Sequence, residues 1–256
     1  MTSDAHQRKV IPRLSGRSIK LIGLGGIGSP VAQALVQFLG VSARADTTLF
    51  LVDGDTYEDK NRERVAFHGG GNKAISKAQE LGSLCDGALP IVPVPQFVTP
   101  HNVHRLLGER DIVFLAVDNH ATRRSVSNRC RKMRDVVLIS GGNDGIEDGR
   151  EGTFGNVMIY ERVAGRDVTH PLTRFHPEIA QPRDKRPDEL SCLALAQSSP
   201  QLLFTNLTVA AAMLGTFYTW LVGQLEYEEL FFDVLSGKML PIMRKRAADS
   251  RTRQTR

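Results

Sequence analysis

Four glycines within six residues constrain this chain more than any other feature. They lie in "IKLIGLGGIGSPVAQAL", Ile19 to Leu35. The apolar run Ile19–Ile22 predicts a strand buried on both faces, and Ser29–Leu39 repeats apolar positions at helical spacing. Between them, Gly23, Gly25, Gly26 and Gly28 predict a tight turn in which backbone can come close to a ligand or to another strand. Strand, glycine turn and helix in that order open an α/β unit.

The remainder of the chain continues the alternation. Strands are expected at Thr47–Val52, at Asp111–Val117, at Asp135–Ser140 and at Gly152–Glu161. Helices are expected at Lys73–Leu84, Pro100–Leu107 and Ala121–Arg134. Pro90–Phe97 reads as a strand at a sheet edge, because Pro93 and Pro95 cannot donate to a central ladder. This pattern predicts a Rossmann-like, doubly wound, mostly parallel sheet. It is followed by a C-terminal helix and two short strands around Ser236-Gly237. Residues 1–17 read as an N-terminal arm, 18–243 as one domain and 244–256 as a basic, disordered tail. A long polar segment with four prolines begins at Gly165, and a loop of that length is usually functional.

Composition narrows the classes. A chain of 256 residues can bury one good core and is short for two independent domains. The net charge of +5 invites a nucleic-acid reading. From Pro241 onward, however, six basic residues stand against Asp249, so the tail carries the whole excess and the body is neutral. Nucleic acid is therefore not expected as a partner. Cys85, Cys130 and Cys192 form no CxxC pair, which argues against a disulfide framework and a four-cysteine zinc site. No secretory signal is visible, and cytoplasm is the expected compartment. The uncharged stretch Leu202–Gly223 has the length of a membrane span. It carries Thr205, Asn206, Thr208, Thr216 and Thr219, and reads instead as a buried or subunit-interface helix.

In such sheets ligands gather beyond the C-terminal strand ends. The first strand ends in the glycines, whose amides at a helix N-terminus suit a phosphate. Asp53, closing the second, suits two ribose hydroxyls; Asp55 reads as a turn or cap residue. To this point a nicotinamide-dependent oxidoreductase fits as well as an ATP-consuming enzyme. The third strand ends in Asp118-Asn119. A carboxylate there would repel a pyrophosphate unless a cation such as Mg²⁺ stood between them. Capping the following helix is the other role open to Asp118. Asn61, Arg64 and Lys73 lie in a loop and at a helix start, where side chains can reach a triphosphate.

Taken together, these stretches resemble the ThiF/MoeB/HesA type of ubiquitin-activating-enzyme-like adenylyltransferases. The glycine loop is "GLGGIGSPVAQAL", the acid after the second strand is Asp53, and "NxxR" is Asn61 to Arg64. "GNKAISKAQEL" matches the family's lysine-bearing helix start and selects Lys73 over Lys77. "DNHATR", Asp118 to Arg123, nearly completes the family's "DNxxTR". The resemblance is close over residues 18–143 and looser to about 240.

The resemblance implies ATP-dependent adenylation of the C-terminal glycine carboxylate of a ubiquitin-like or sulfur-carrier protein. Asp118 would hold Mg²⁺, Arg64 and Lys73 would neutralise phosphates, Asn61 would orient them and Asp53 would fix the ribose. It also implies a homodimer, in which an N-terminal arginine completes the partner's site. Here the family's "RYxRQ" arm is missing, and Arg8, Arg13 and Arg17 are not assigned that role. No zinc is expected. Cys192 falls in the crossover segment, about 165–195, where relatives that pass their protein onward carry a thioester-forming cysteine. A conjugating enzyme would then receive the product. His170 and His176 are near it in sequence and could serve as a base. His101 and His104 read as surface residues.

Overall fold

A computed structural model of the chain describes residues 12–42, 47–58, 70–85, 89–147, 149–189 and 201–244. Among them, the central feature is a nine-stranded sheet. Strand β1 (Ile19–Ile22) leads through the glycine turn into helix α1 (Gly28–Ser42), and β2 (Leu49–Val52) lies parallel to β1. A small ribbon of β3 (Thr56–Tyr57) and β4 (Gly71–Asn72) precedes helix α2 (Lys73–Gly82). Among the described residues strand β5 (Ile91–Val94) pairs only with β2 and closes that edge, as Pro93 requires.

The chain then crosses to the other side of β1. The short helix α3 (Val103–Leu106) leads to β6 (Ile112–Leu115), followed by α4 (His120–Cys130) and β7 (Val136–Asn143). A ribbon of β8 (Ile146–Glu147) and β9 (Arg150–Glu151) turns into β10 (Phe154–Val163), which runs antiparallel to β7 and carries β11 (Arg166–Asp167). After α5 (Pro177–Ala180) and a 3-10 turn at Pro187–Glu189 comes the long α6 (Leu203–Leu221). Strands β12 (Tyr227–Asp233) and β13 (Lys238–Met243) extend the antiparallel half. The five strands β5-β2-β1-β6-β7 are thus parallel, and the sequence expectation of a mostly parallel, doubly wound sheet holds.

Two apolar layers sandwich the sheet. One packs α1, α2 and α6 through Leu35, Leu81, Val209 and Phe217. The other packs α3 and α4 with Leu172 and Ile179 of the polar crossover. The crossover is therefore not a free loop; it contributes side chains to the core. Helix α6 is buried on one side only, for Phe204, Leu207 and Tyr218 are exposed on the other. Among the described residues no helix is long and apolar enough to cross a membrane. The end of the N-terminal arm is also fixed: Leu14 is buried, Arg13 pairs with Glu161, and Arg13 and Arg17 both lie over the Trp220 ring.

Strand order reverses between β1 and β6, and a crevice opens there beyond the C-terminal strand ends. The chain segments that close it come from both halves of the sheet.

Candidate functional site

The glycine turn is built by crowding on one side and openness on the other. Gly23 has φ +90°, and a Cβ there would lie 2.6 Å from the Ala116 carbonyl oxygen at the end of β6. A Cβ on Gly28 would lie 1.8 Å from the Gly23 oxygen. Gly25, by contrast, faces open space. The Gly23 and Leu24 amides are spent on Val52 O and Asp53 Oδ2. Those of Gly25, Gly26, Ile27 and Gly28 find no acceptor among the described residues. Four unspent N–H groups at the start of α1 make a cradle for an anion.

Asp53 ends β2 beside this cradle. Its Oδ2 accepts from Leu24 N at 2.7 Å and its Oδ1 from Asp55 N at 2.9 Å. Each oxygen keeps one lone pair beyond these bonds, so Asp53 is a structural tie that can still accept from a ligand. Burial pushes its carboxyl above the usual carboxylate range, against the pull of Lys73 and the two amides. Asp55, read from sequence as a turn or cap residue, accepts from Thr56 N through Oδ1 and also meets Lys73, Nζ to Oδ2 being 2.5 Å. Lys73 is nearly buried at the start of α2. Asn72 caps that helix by accepting from Ala74 N and Ile75 N, and its own amide donates to the Asp53 and Asp55 carbonyls.

Beyond β6, Asp118 is exposed to the crevice, with no hydrogen-bond partner among the described residues. It does not cap α4. That role belongs to Asn119, whose side chain accepts from Thr122 N at 2.8 Å, and to Asp184 from the crossover. Asp184 takes the His120 and Ala121 amides at 2.6 and 3.0 Å. Arg123 is buried and bonded to Ser140 Oγ and the Val117 and Gly141 carbonyls. It braces β6, α4 and β7 and lines the inner end of the site, where Asp118 attracts its charge.

These groups line one cavity of about 1200 Å³, which runs from the glycine cradle past Asp53, Lys73 and Asp118 to Phe231 and Phe232 of β12. The crossover roofs it. His176 Nδ1 is 2.7 Å from Glu178 and its Nε2 2.8 Å from Glu229, while His170 Nδ1 is 2.7 Å from Glu228. A bulge at Glu228, where Tyr227 and Glu229 oppose the adjacent Met243 and Ile242, presents both neighbouring carboxylates to the crossover. Hydrogen bonding to Glu229 raises the His176 value above 6.5, opposed by burial and aided by Glu178.

Of the residues expected from sequence, Gly23, Gly25, Gly26, Asp53, Lys73 and Asp118 converge on this cavity, while Gly28 packs behind it against the Gly23 carbonyl. Asn61, Arg64 and Cys192 lie outside the described residues, so the idea of a histidine base near Cys192 has no geometry to stand on. His101 and His104 are exposed, and among the described residues no cluster of three or more His, Cys, Asp or Glu could hold a metal ion. Cys130 is fully buried, with its thiol pushed up to about 12 by that burial. Sequence reasoning missed Asp184 and the paired roles of Asp55 and His176. Asp184 meets α4 across 64 residues, Asp55 meets Lys73 across 18 and His176 meets Glu229 across 53, and only the Glu178 contact of His176 is local.

A carboxylate that makes no hydrogen bond among the described residues and lines the same cavity as the glycine turn suits Mg²⁺, which binds through one or two carboxylates together with substrate phosphates. The donor set fits that ion, and the cradle fits a nucleotide's phosphates.

Comparison with known proteins places the chain in a family. A profile of the ThiF family matches residues 4–250. The SAMP-activating enzyme E1 of Haloferax volcanii is 32% identical over 132 residues, which is 50% of this chain and 46% of that protein. The adenylyltransferase and sulfurtransferase MOCS3 of Dictyostelium discoideum is 35% identical over 131 residues, 50% of this chain and 29% of that protein. The chain therefore spans less than half the length of these relatives. Among solved structures, E. coli MccB with ATP superimposes with a TM-score of 0.67 at 15% identity, covering 94% of this chain and 68% of that one. PaaA gives 0.63 at 16% identity, with the same coverage of both chains. At such identity the likeness is one of fold.

Proposed function

Because the chain belongs to the ThiF family, we propose that it adenylates the C-terminal glycine carboxylate of a ubiquitin-like or sulfur-carrier protein at the expense of ATP. One observation carries the reading. Gly25, Gly26 and Ile27 with their unspent amides, the acid Asp53, the cation Lys73 and Asp118, a carboxylate with no hydrogen bond among the described residues, all line one cavity at the strand-order reversal. In this reaction a carboxylate oxygen attacks the α-phosphorus and pyrophosphate leaves, so two anions must approach and charge builds on the phosphoryl oxygens. Placing positive charge and N–H groups at those oxygens is most of the catalytic task.

Asp118 would hold Mg²⁺, which supplies charge neutralisation at the phosphates when bound. The amides from Gly25 to Gly28 receive phosphate oxygens, Asp53 receives the ribose hydroxyls, and Lys73 stands beside them with its ammonium held by Asp55. Asn61 and Arg64 complete the phosphate contacts in this reading. The apolar wall of Phe231 and Phe232 gives the carrier's tail a surface to lie on. Cys192 then attacks the acyl carbon of the adenylate, releasing AMP and leaving a thioester for a conjugating enzyme. The protein works in the cytoplasm as a homodimer, with the exposed Phe204 and Leu207 of α6 facing the second copy. Arg13 and Arg17 are engaged with Trp220 of their own chain and do not serve as the partner's arginine. The family assignment leaves the nicotinamide-dependent alternative without support.

The test is isotope exchange. The protein, ATP, Mg²⁺ and a small carrier ending in glycine should move labelled pyrophosphate into ATP, and omission of the carrier should abolish the exchange. ATP binding without exchange across a panel of such carriers would refute adenylation.

A further inference from the structure

Helix α6 places Asn206 directly behind the glycine turn. The residue is fully buried, and neither its Nδ2 nor its Oδ1 has a hydrogen-bond partner among the described residues. A Cβ built on Gly26 would lie 2.3 Å from Asn206 Nδ2 and 2.9 Å from its Cγ. Gly26 is thus glycine because this carboxamide occupies the place of a side chain. Burying an amide without a partner is costly, and an apolar side chain of the same size would avoid that cost.

The sequence of the turn says what the amide is for. In a helix the carbonyl of Gly26 would accept from the residue four positions on, but that residue is Pro30, which has no N–H. Its neighbours are provided for: Gly25 O accepts from Ser29 N, Leu24 O from Ser29 Oγ, and Ile27 O from Val31 N. In a planar trans peptide the C=O of Gly26 points opposite to the N–H of Ile27. When that N–H turns toward an anion in the cavity, the carbonyl turns back into the protein, where it needs a donor.

Resting on the nucleotide-binding part of the function proposed above, we infer that Asn206 is a positioning residue whose Nδ2 donates to the Gly26 carbonyl in the ATP-bound protein, holding the amides of the turn toward the phosphates. Asn206 touches no ligand itself. It acts through the backbone of Gly26, and Pro30 is what makes it necessary.

The experiment measures ATP·Mg affinity by calorimetry and the melting temperature without nucleotide, for the whole chain and its variants. Asn206→Leu should melt no lower than the wild type yet bind ATP about tenfold more weakly, the worth of one net hydrogen bond. Asn206→Asp, equal in size but without the donor, should lose at least as much and stands in if the leucine variant does not fold. In a Pro30→Ala background, where residue 30 regains its N–H, Asn206→Leu should lose far less. Unchanged affinity in both Asn206 variants, or an equal loss in both backgrounds, overturns the inference. Carrier-dependent pyrophosphate exchange by the wild type is followed in parallel. Its absence with ATP binding intact removes the adenylation reading alone, whereas variants that bind normally beside an active wild type remove Asn206 alone.

Discussion

Asp53 Oδ2 accepts the backbone N–H of Leu24 at 2.7 Å, tying the end of β2 to the glycine turn across 29 residues of chain. Its second oxygen takes the amide of Asp55 at 2.9 Å, so one carboxylate organises both walls of the crevice. Asp53→Ala would orphan two amides. We expect it to destabilise the protein by about 1–3 kcal/mol as well as to weaken ATP binding, read from denaturant midpoints and calorimetry together. A variant of full stability would show the tie to be dispensable.

Asp118 and Asn119 are adjacent and should separate cleanly. Asp118 is exposed and caps nothing, so Asp118→Ala should leave stability within about 0.5 kcal/mol of wild type. The same change should lower the exchange rate by about 3 kcal/mol in transition-state terms. Asn119→Ala should do the reverse in kind, costing about 1 kcal/mol of stability through the lost cap of α4. Thermal melts beside exchange rates check both.

Asp184 carries the crossover onto the N-terminus of α4 through two amides. A carboxylate at that position is favoured by the helix dipole as well as by its hydrogen bonds. Asp184→Ala should cost about 1 kcal/mol and accelerate hydrogen exchange in residues 170–189 more than in the sheet. Uniform exchange rates would deny the crossover any dependence on this contact.

His176 gives a pH dependence of known sign. Its folded value lies above the usual 6.5, so the protein holds the proton more tightly than the unfolded chain does. The groups facing it are Glu178, Glu229 and, from α4, His120. Its contribution to stability is full below 6.5 and is lost as pH rises through the elevated value. Proteolysis of the crossover should therefore quicken as pH rises from about 6 to about 8, and His176→Gln should flatten that slope. A slope unchanged in the variant would assign it to other groups.

Local chemistry made much of this protein legible. The glycine turn, the buried strands, the proline-marked edge at β5 and the acids closing β2 and β6 all follow from rules acting over a few residues, and the structure places them as read. Asp118 was legible as the acid at the end of β6, but its freedom from capping duty was not, because only the built helix shows Asn119 in that role.

What the sequence determined by itself was the menu of elements and the groups at their ends, since backbone geometry and periodicity are local properties. Tertiary structure alone decided which of those groups meet. Asp184 reaches α4 from 64 residues away, His176 meets Glu229 across 53, and Asn206 comes to rest behind Gly26. Nothing in the spacing of a linear chain encodes such encounters; they are fixed when two apolar layers close on the sheet and leave each buried polar group only the partners that packing brings within reach.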